Sequence, residues 1–177
     1  PYIRFLEQSP KMDDAARADF LVQFLPDAAG VTLGLAVMGG VFAEGIDLPA
    51  ERLCGAVVVG VGLPQVCLER DVLREAYEET YQSGFRYAYQ YPGMSKVLQA
   101  AGRIIRTETD RGALLLIDTR YSLADYRGLL PPHWKIERVK SVGELSFALS
   151  RFWNDAPSIV SQPPESIPAT LDSSSRT

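Results

Sequence analysis

The sequence predicts an α/β domain with a largely parallel sheet flanked by helices. Three apolar runs carry the strand half of this reading: Val31 to Met38, Gly55 to Val61 and Ala113 to Ile117. Each is too short for a free-standing helix and is bounded by glycine or polar residues, as buried strands are. Segments with helical spacing alternate with them, among them Ala16, Phe20 and Phe24, and later Leu145, Leu149, Phe152 and Trp153. At 177 residues with 46% hydrophobic content, the chain is long enough for one domain with its own core.

In order, Tyr2 to Leu6 is a run of aromatic and β-branched residues that suits a short strand. Asp13 and Asp14 precede the first helix, which Pro26 and Gly30 should end. The strand Val31 to Met38 runs into Gly39-Gly40, and Gly55 to Val61 is closed by Gly62-Leu63-Pro64. Gln65 to Gln82, with Arg70, Asp71, Arg74, Glu75, Glu78 and Glu79, reads as an exposed helix supported by ion pairs along its face. Phe85, Tyr87, Tyr89 and Tyr91 then alternate around Arg86. That alternation suits a base-stacking platform, a strand-like segment or packing between helices. Pro92 and Gly93 open the next helix. After the strand Ala113 to Ile117, ended by Asp118 and Arg120, a short helix from Tyr121 to Leu130 is stopped by Pro131 to Trp134. Val142 to Trp153 is a closing helix expected to lie on the sheet, so the domain covers residues 1–154. Residues 155–177, rich in Pro, Ser, Thr and Glu, read as a disordered tail or linker.

Charge and cysteine content narrow the function. A net charge of -4 and a pI of about 5.1 exclude a strongly basic nucleic-acid module, so any DNA contact must be local. No apolar run approaches the ~20 residues of a membrane-spanning helix, so no membrane partner is expected. Cys54 and Cys67 are too few for a metal cage, and the expectation is buried free thiols in a reducing, cytoplasmic compartment with no metal site. His133, the only histidine, sits beside two prolines in what reads as a surface turn. Neither a G-x-G-x-x-G nor a G-x-x-x-x-G-K-[ST] sequence is present, so the chain has no phosphate-cradling loop of its own.

Chemistry concentrates in Gln99 to Gly112, QAAGRIIRTETDRG. At about 100° per residue, Gln99, Arg103 and Arg106 fall within about 60° of one another on a helix. Ala100, Ala101, Ile104 and Ile105 cover the opposite, buried side. Two guanidiniums beside one amide suit phosphate oxygens, because each is planar, always charged and donates several hydrogen bonds. Gly102 between them permits close approach to the backbone. On spacing alone, a surface helix with two solvated arginines is the better fit.

QAAGRIIR resembles the Q-x-x-G-R-x-x-R pattern of motif VI in superfamily 2 helicases. With its continuation RTETDRG and LLLIDTR, it looks like the second motor domain of the DinG/XPD-type DNA helicases, closest to their bacterial members. Upstream, GGVFAEGIDLP from Gly39 to Pro49 resembles that family's motif V. The resemblance implies a RecA-like fold of the P-loop NTPase kind, part of an ATP-dependent DNA helicase of repair or replication. It implies that Gln99, Arg103 and Arg106 lie near the γ-phosphate of ATP bound with Mg²⁺ between two RecA-like domains, with Arg103 or Arg106 as arginine finger. Glu44, Gly45, Asp47 and Gly102 would line the ATP side. Asp47 could take a ribose hydroxyl or orient an arginine, and Glu44 could brace the loop. Gly39, Gly40 and Lys96 are weaker candidates for nucleic-acid contacts.

The implied partners are the first RecA-like domain of the same protein, which would supply the phosphate loop and Mg²⁺ ligands, and single-stranded DNA. The family's iron-sulfur cysteines lie in that first domain, so neither Cys54 nor Cys67 inherits that role. The strand of motif IV is expected before residue 1, and the opening on Pro1 reads as a piece of a longer chain. Two other readings stand beside this one: a non-catalytic RecA-like module that binds DNA or a partner, and a plain small-molecule-binding α/β domain.

Overall fold

The computed structural model describes residues 2–24, 30–40, 42, 53–104 and 111–155. They divide into two units, residues 1–135 and 136–177, each taken by itself below.

The first unit is α/β, with parallel strands flanked by helices. Strand β1 (Ile3–Glu7) pairs in parallel with β2 (Val31–Leu35), Ile3 opposite Val31 and Glu7 opposite Leu35. Helix α1 (Asp14–Val22) makes the crossover; the Asp13 carboxylate caps it by accepting from the Ala16 N–H at 2.8 Å. Strand β3 (Gly55–Val59) pairs in parallel with β4 (Ala113–Ile117), Gly55 opposite Ala113 and Val59 opposite Ile117. Among the described residues these are two separate parallel pairs rather than one continuous sheet.

Two expected strand ends move. β2 stops at Leu35, and Val37 to Gly40 forms a turn closed by the Gly40 N–H on the Val37 carbonyl at 3.0 Å. Gly39 takes a left-handed φ of +79°, which ends extended backbone there. In β3, Val58 alone is buried, and Val57 and Val59 point to solvent, so one face of that pair is covered and the other open.

Helix α2 (Leu68–Tyr81) ends at Gln82, whose left-handed φ of 52° turns the chain. A π-helical turn, Arg86–Gln90, then runs directly into α3 (Tyr91–Ala101). Pro92, in the first turn of α3, has no N–H to offer the carbonyl four residues back, which is that of Ala88. The freed Ala88 carbonyl accepts instead from the Arg70 guanidinium at 3.1 Å. Arg70 is therefore a tie between α2 and the π-turn, and the ion pair along α2 is Arg74 with Asp71 at 3.7 Å. The aromatic alternation resolves as packing between helices: Tyr87 contacts Tyr77, Tyr81 and Tyr91 with ring centroids 5.2, 4.9 and 5.2 Å apart.

α3 is the centre of the core. Val61, Met94 and Val97 are its most deeply buried side chains, joined by Val58, Tyr126 and Leu130. Past β4, the expected helix from Tyr121 resolves into a 3₁₀ turn (Thr119–Ser122) and a short α4 (Ala124–Arg127). In the second unit, α5 (Val142–Asn154) is capped by the Ser141 hydroxyl, which accepts from the Glu144 N–H at 3.1 Å. Its apolar stripe forms as predicted, yet none of its residues is buried. Cys54 and Cys67 are exposed rather than buried. No described helix is long and apolar enough to cross a membrane.

Met94→Ala removes a side chain that is 2% exposed at the centre of this cluster. Chemical denaturation should show a loss of about 2–5 kcal/mol; a loss below about 1 kcal/mol would place the core elsewhere.

Candidate functional site

The strand carboxyl ends converge on the first turns of α3, and small residues let them. A Cβ on Gly93 would lie 2.7 Å from the Val61 carbonyl oxygen and 3.1 Å from the Leu63 nitrogen. A Cβ on Gly62, itself at φ +63°, would lie 2.8 Å from the Gly93 carbonyl oxygen and 3.2 Å from Met38 Cε. The backbones after β3 and at the start of α3 thus touch, with the end of the β2 segment packed beside them. This is the carboxyl edge of a parallel sheet, where open α/β folds bind ligands.

Gly39 and Lys96 meet there. A Cβ on Gly39 would fall 3.0 Å from Lys96 Nζ and 3.1 Å from its Cδ and Cε, so the lysine stem lies across the glycine backbone. Lys96 is half-buried. Gly40 has a different neighbour, Gln8, whose Nε2 would lie 3.2 Å from a Cβ on Gly40. Gln8 Oε1 accepts the Val37 N–H at 2.9 Å, and its own N–H reaches the Leu35 carbonyl at 2.8 Å. Gln8 therefore holds the Val37–Gly40 turn from the end of β1. It was not among the sequence candidates; its one signal was its place just after an apolar run that reads as a strand.

α3 carries the remaining described candidates on one side. Gln99 and Gly102 are exposed, Arg103 is half-buried, and Ala101 and Ile104 turn inward at 6% and 2% exposure. The predicted division into an outward polar face and a buried apolar face holds that far. The α-helix, however, stops at Ala101. Arg103 and Ile104 donate their N–H groups to Ala100 and Ala101, three residues back, at 3.2 and 3.0 Å. This tightening follows Gly102, a residue that disfavours further helix. Gly102 itself has an ordinary right-handed conformation. Along the axis Arg103 lies roughly 10 Å from Lys96, at about 1.5 Å per residue. Arg106, Glu44, Gly45 and Asp47 lie outside the described residues.

The end of β4 braces the same edge. Asp118 accepts from the Arg120 side chain at 2.9 and 2.7 Å and from its backbone N–H at 2.9 Å. The guanidinium hydrogen bonds hold the Asp118 carboxyl below its ordinary range. Tyr121 donates its hydroxyl to the Gly60 carbonyl at 2.7 Å, joining the turn after β4 to the end of β3. Burial first, and the Asp118 carboxylate second, push the Tyr121 phenol up to about 12. Among the described residues no three metal-ligating side chains gather.

Tyr121→Phe should lower stability at neutral pH by about 1 kcal/mol. The neutral phenol is the form the fold favours, so its contribution is complete below the ordinary value of 10.0 and is lost as pH rises through about 12. Denaturation curves should therefore show a shallower alkaline fall for the variant than for the wild type; parallel curves between these values would contradict the burial of the Tyr121 phenol beside Asp118.

Comparison with known proteins assigns the chain to a family. A family model described as the helicase C-terminal domain matches residues 2–137. The regulator of telomere elongation helicase 1 homolog of Caenorhabditis briggsae is 34% identical over 99 residues, 51% of this chain and 10% of that protein. The XPD helicase subunit of general transcription and DNA repair factor IIH from Dictyostelium discoideum is 30% identical over 130 residues, 72% of this chain and 16% of that protein. A probable ATP-dependent helicase of Methanocaldococcus jannaschii is 34% identical over 107 residues, 54% of this chain and 16% of that protein. The chain thus spans a sixth or less of these relatives' lengths. The match includes both glycine turns, α3 and the Asp118–Arg120 pair, and the chain belongs to the helicase C-terminal domain family.

Proposed function

We propose that this chain is the second RecA-like motor domain of an ATP-dependent DNA helicase, completing an ATP site and helping the protein translocate on single-stranded DNA. The observation that carries the reading is the seating of α3 on the strand carboxyl ends. It sets Lys96 across Gly39, with Gln99 exposed and Arg103 half-buried one to two turns further on. In this reading Gln99, Arg103 and Arg106 close on the γ-phosphate of ATP held mainly by the first RecA-like domain of the parent protein. Glu44, Gly45, Asp47 and Gly102 line the nucleotide, and Gly39, Gly40 and Lys96 face a nucleic-acid phosphate. Mg²⁺, bound by the first domain, would neutralise phosphate charge. The RTETDRG–LLLIDTR continuation supports the bacterial branch of the DinG/XPD type.

The work of these residues is positioning and charge stabilisation. An arginine that arrives only when two domains close makes hydrolysis depend on closure, and closure moves the grip on DNA. A lysine over a glycine turn neutralises one phosphate without reading a base, which suits a motor that must pass every sequence.

In the full-length parent protein, Arg103→Ala and Arg106→Ala should each lower single-stranded-DNA-stimulated ATP hydrolysis by about 10³ while DNA binding and folding persist. The 177-residue chain alone should hydrolyse almost nothing. Unchanged hydrolysis in both variants, or helicase-like turnover by the isolated chain, would reject the shared-site reading.

A further inference from the structure

We infer that the solvent face of α2 (Leu68–Tyr81) is a docking surface for a basic amphipathic helix of a partner protein. One side of α2 is tied down: Arg70 donates to the Ala88 carbonyl, Glu78 Oε2 accepts the Gly84 N–H at 2.6 Å, and the Tyr89 hydroxyl reaches Asp71 at 3.3 Å. The other side is open and carries a short apolar stripe among acids. At about 100° per residue, Leu68, Val72 and Ala76 fall within about 80° of one another. Leu68 is 77% exposed and Val72 57%, and no residue of this 14-residue helix is buried. Leu73, 42% exposed, widens the ridge. A contiguous apolar ridge along an exposed helix is the kind of surface that helices dock on, through anchors at the same spacing.

Charge selects the occupant. Glu69, Glu75 and Glu79 are exposed and interleaved with the ridge. Lysines or arginines flanking apolar anchors complement them. A second copy of the chain would set acid against acid. Single-stranded DNA is disfavoured twice: the acids repel phosphate, and Tyr87 is already in contact with Tyr77, Tyr81 and Tyr91. The ridge uses none of the residues assigned to nucleotide or DNA, so this inference stands apart from the motor reading.

The test titrates the isotopically labelled 177-residue chain with an ~18-residue amphipathic peptide of Leu and Lys, its Leu and Glu counterpart, and oligo(dT), following backbone amide shifts. The Leu/Lys peptide should shift the amides of Leu68 to Tyr81, and the Leu/Glu peptide should not. Leu68→Ser with Val72→Ser should weaken binding about tenfold, and Glu75→Lys with Glu79→Lys should transfer the preference to the Leu/Glu peptide, with helix content unchanged in both. Four results would overturn the inference: shifts elsewhere or none, no peptide preference or one that charge reversal leaves in place, oligo(dT) shifting the ridge, or self-association through it.

Discussion

Backbone meets backbone where α3 crosses the end of β3, and the rest of the first unit is arranged around that contact. Gly62 and Gly93 each leave room that a methyl group would fill, against the Gly93 and Val61 carbonyl oxygens respectively. In a helix, Gly in place of Ala ordinarily costs about 1 kcal/mol. Here the glycine permits a close approach that Met94 and Val97 then consolidate, both almost fully buried. The geometry follows from one rigid body crossing another: with α3 fixed at its first turn, Lys96, Gln99 and Arg103 have fixed places along the strand edge.

Around that contact, each strand end contributes a brace. Gln8 holds the turn after β2, Tyr121 ties the turn after β4 to the end of β3, and Asp118 gathers Arg120 into a hydrogen-bonded pair. The braces are polar and lie at the strand carboxyl ends, whereas the cluster beneath is apolar. A rigid support under outward-facing cationic groups is what a site needs if its charges are to meet a transition state without reorganising.

Much of this was legible in the sequence because periodicity and glycine report local geometry well. The strand Ala113–Ile117, the Asp13 region before α1 and the helix after Ser141 fall where spacing put them, whereas the helix expected to open at Pro92 is already running through the π-turn before it. The polar and apolar sides of α3 also came out as predicted for Gln99, Ala101 and Ile104. What was not legible depends on partners distant in sequence. Arg70 looked like one charge among many, and only the carbonyl freed by Pro92 gives it a role. Gln8 acts through a segment 29 residues away. The alternation of Phe85 to Tyr91 has period two on paper, yet the chain is helical there, with Tyr87 packed on Tyr77 and Tyr81 and Tyr89 stacked on Phe85. The end of α3 at Ala101 has a signal in Gly102, but the three-residue hydrogen bonds that follow it have none.

The proposed role of Arg103 lies in the transition state rather than in nucleotide binding. The most direct measurement is the affinity of the full-length parent protein for ADP–aluminium fluoride, which mimics the transferring phosphoryl group, beside its affinity for ATP, in wild type and Arg103→Lys. Lysine keeps the charge but not the planar fork. The account predicts a loss of about tenfold or more for the mimic with ATP affinity retained. Equal losses for both ligands, or none for either, would contradict it.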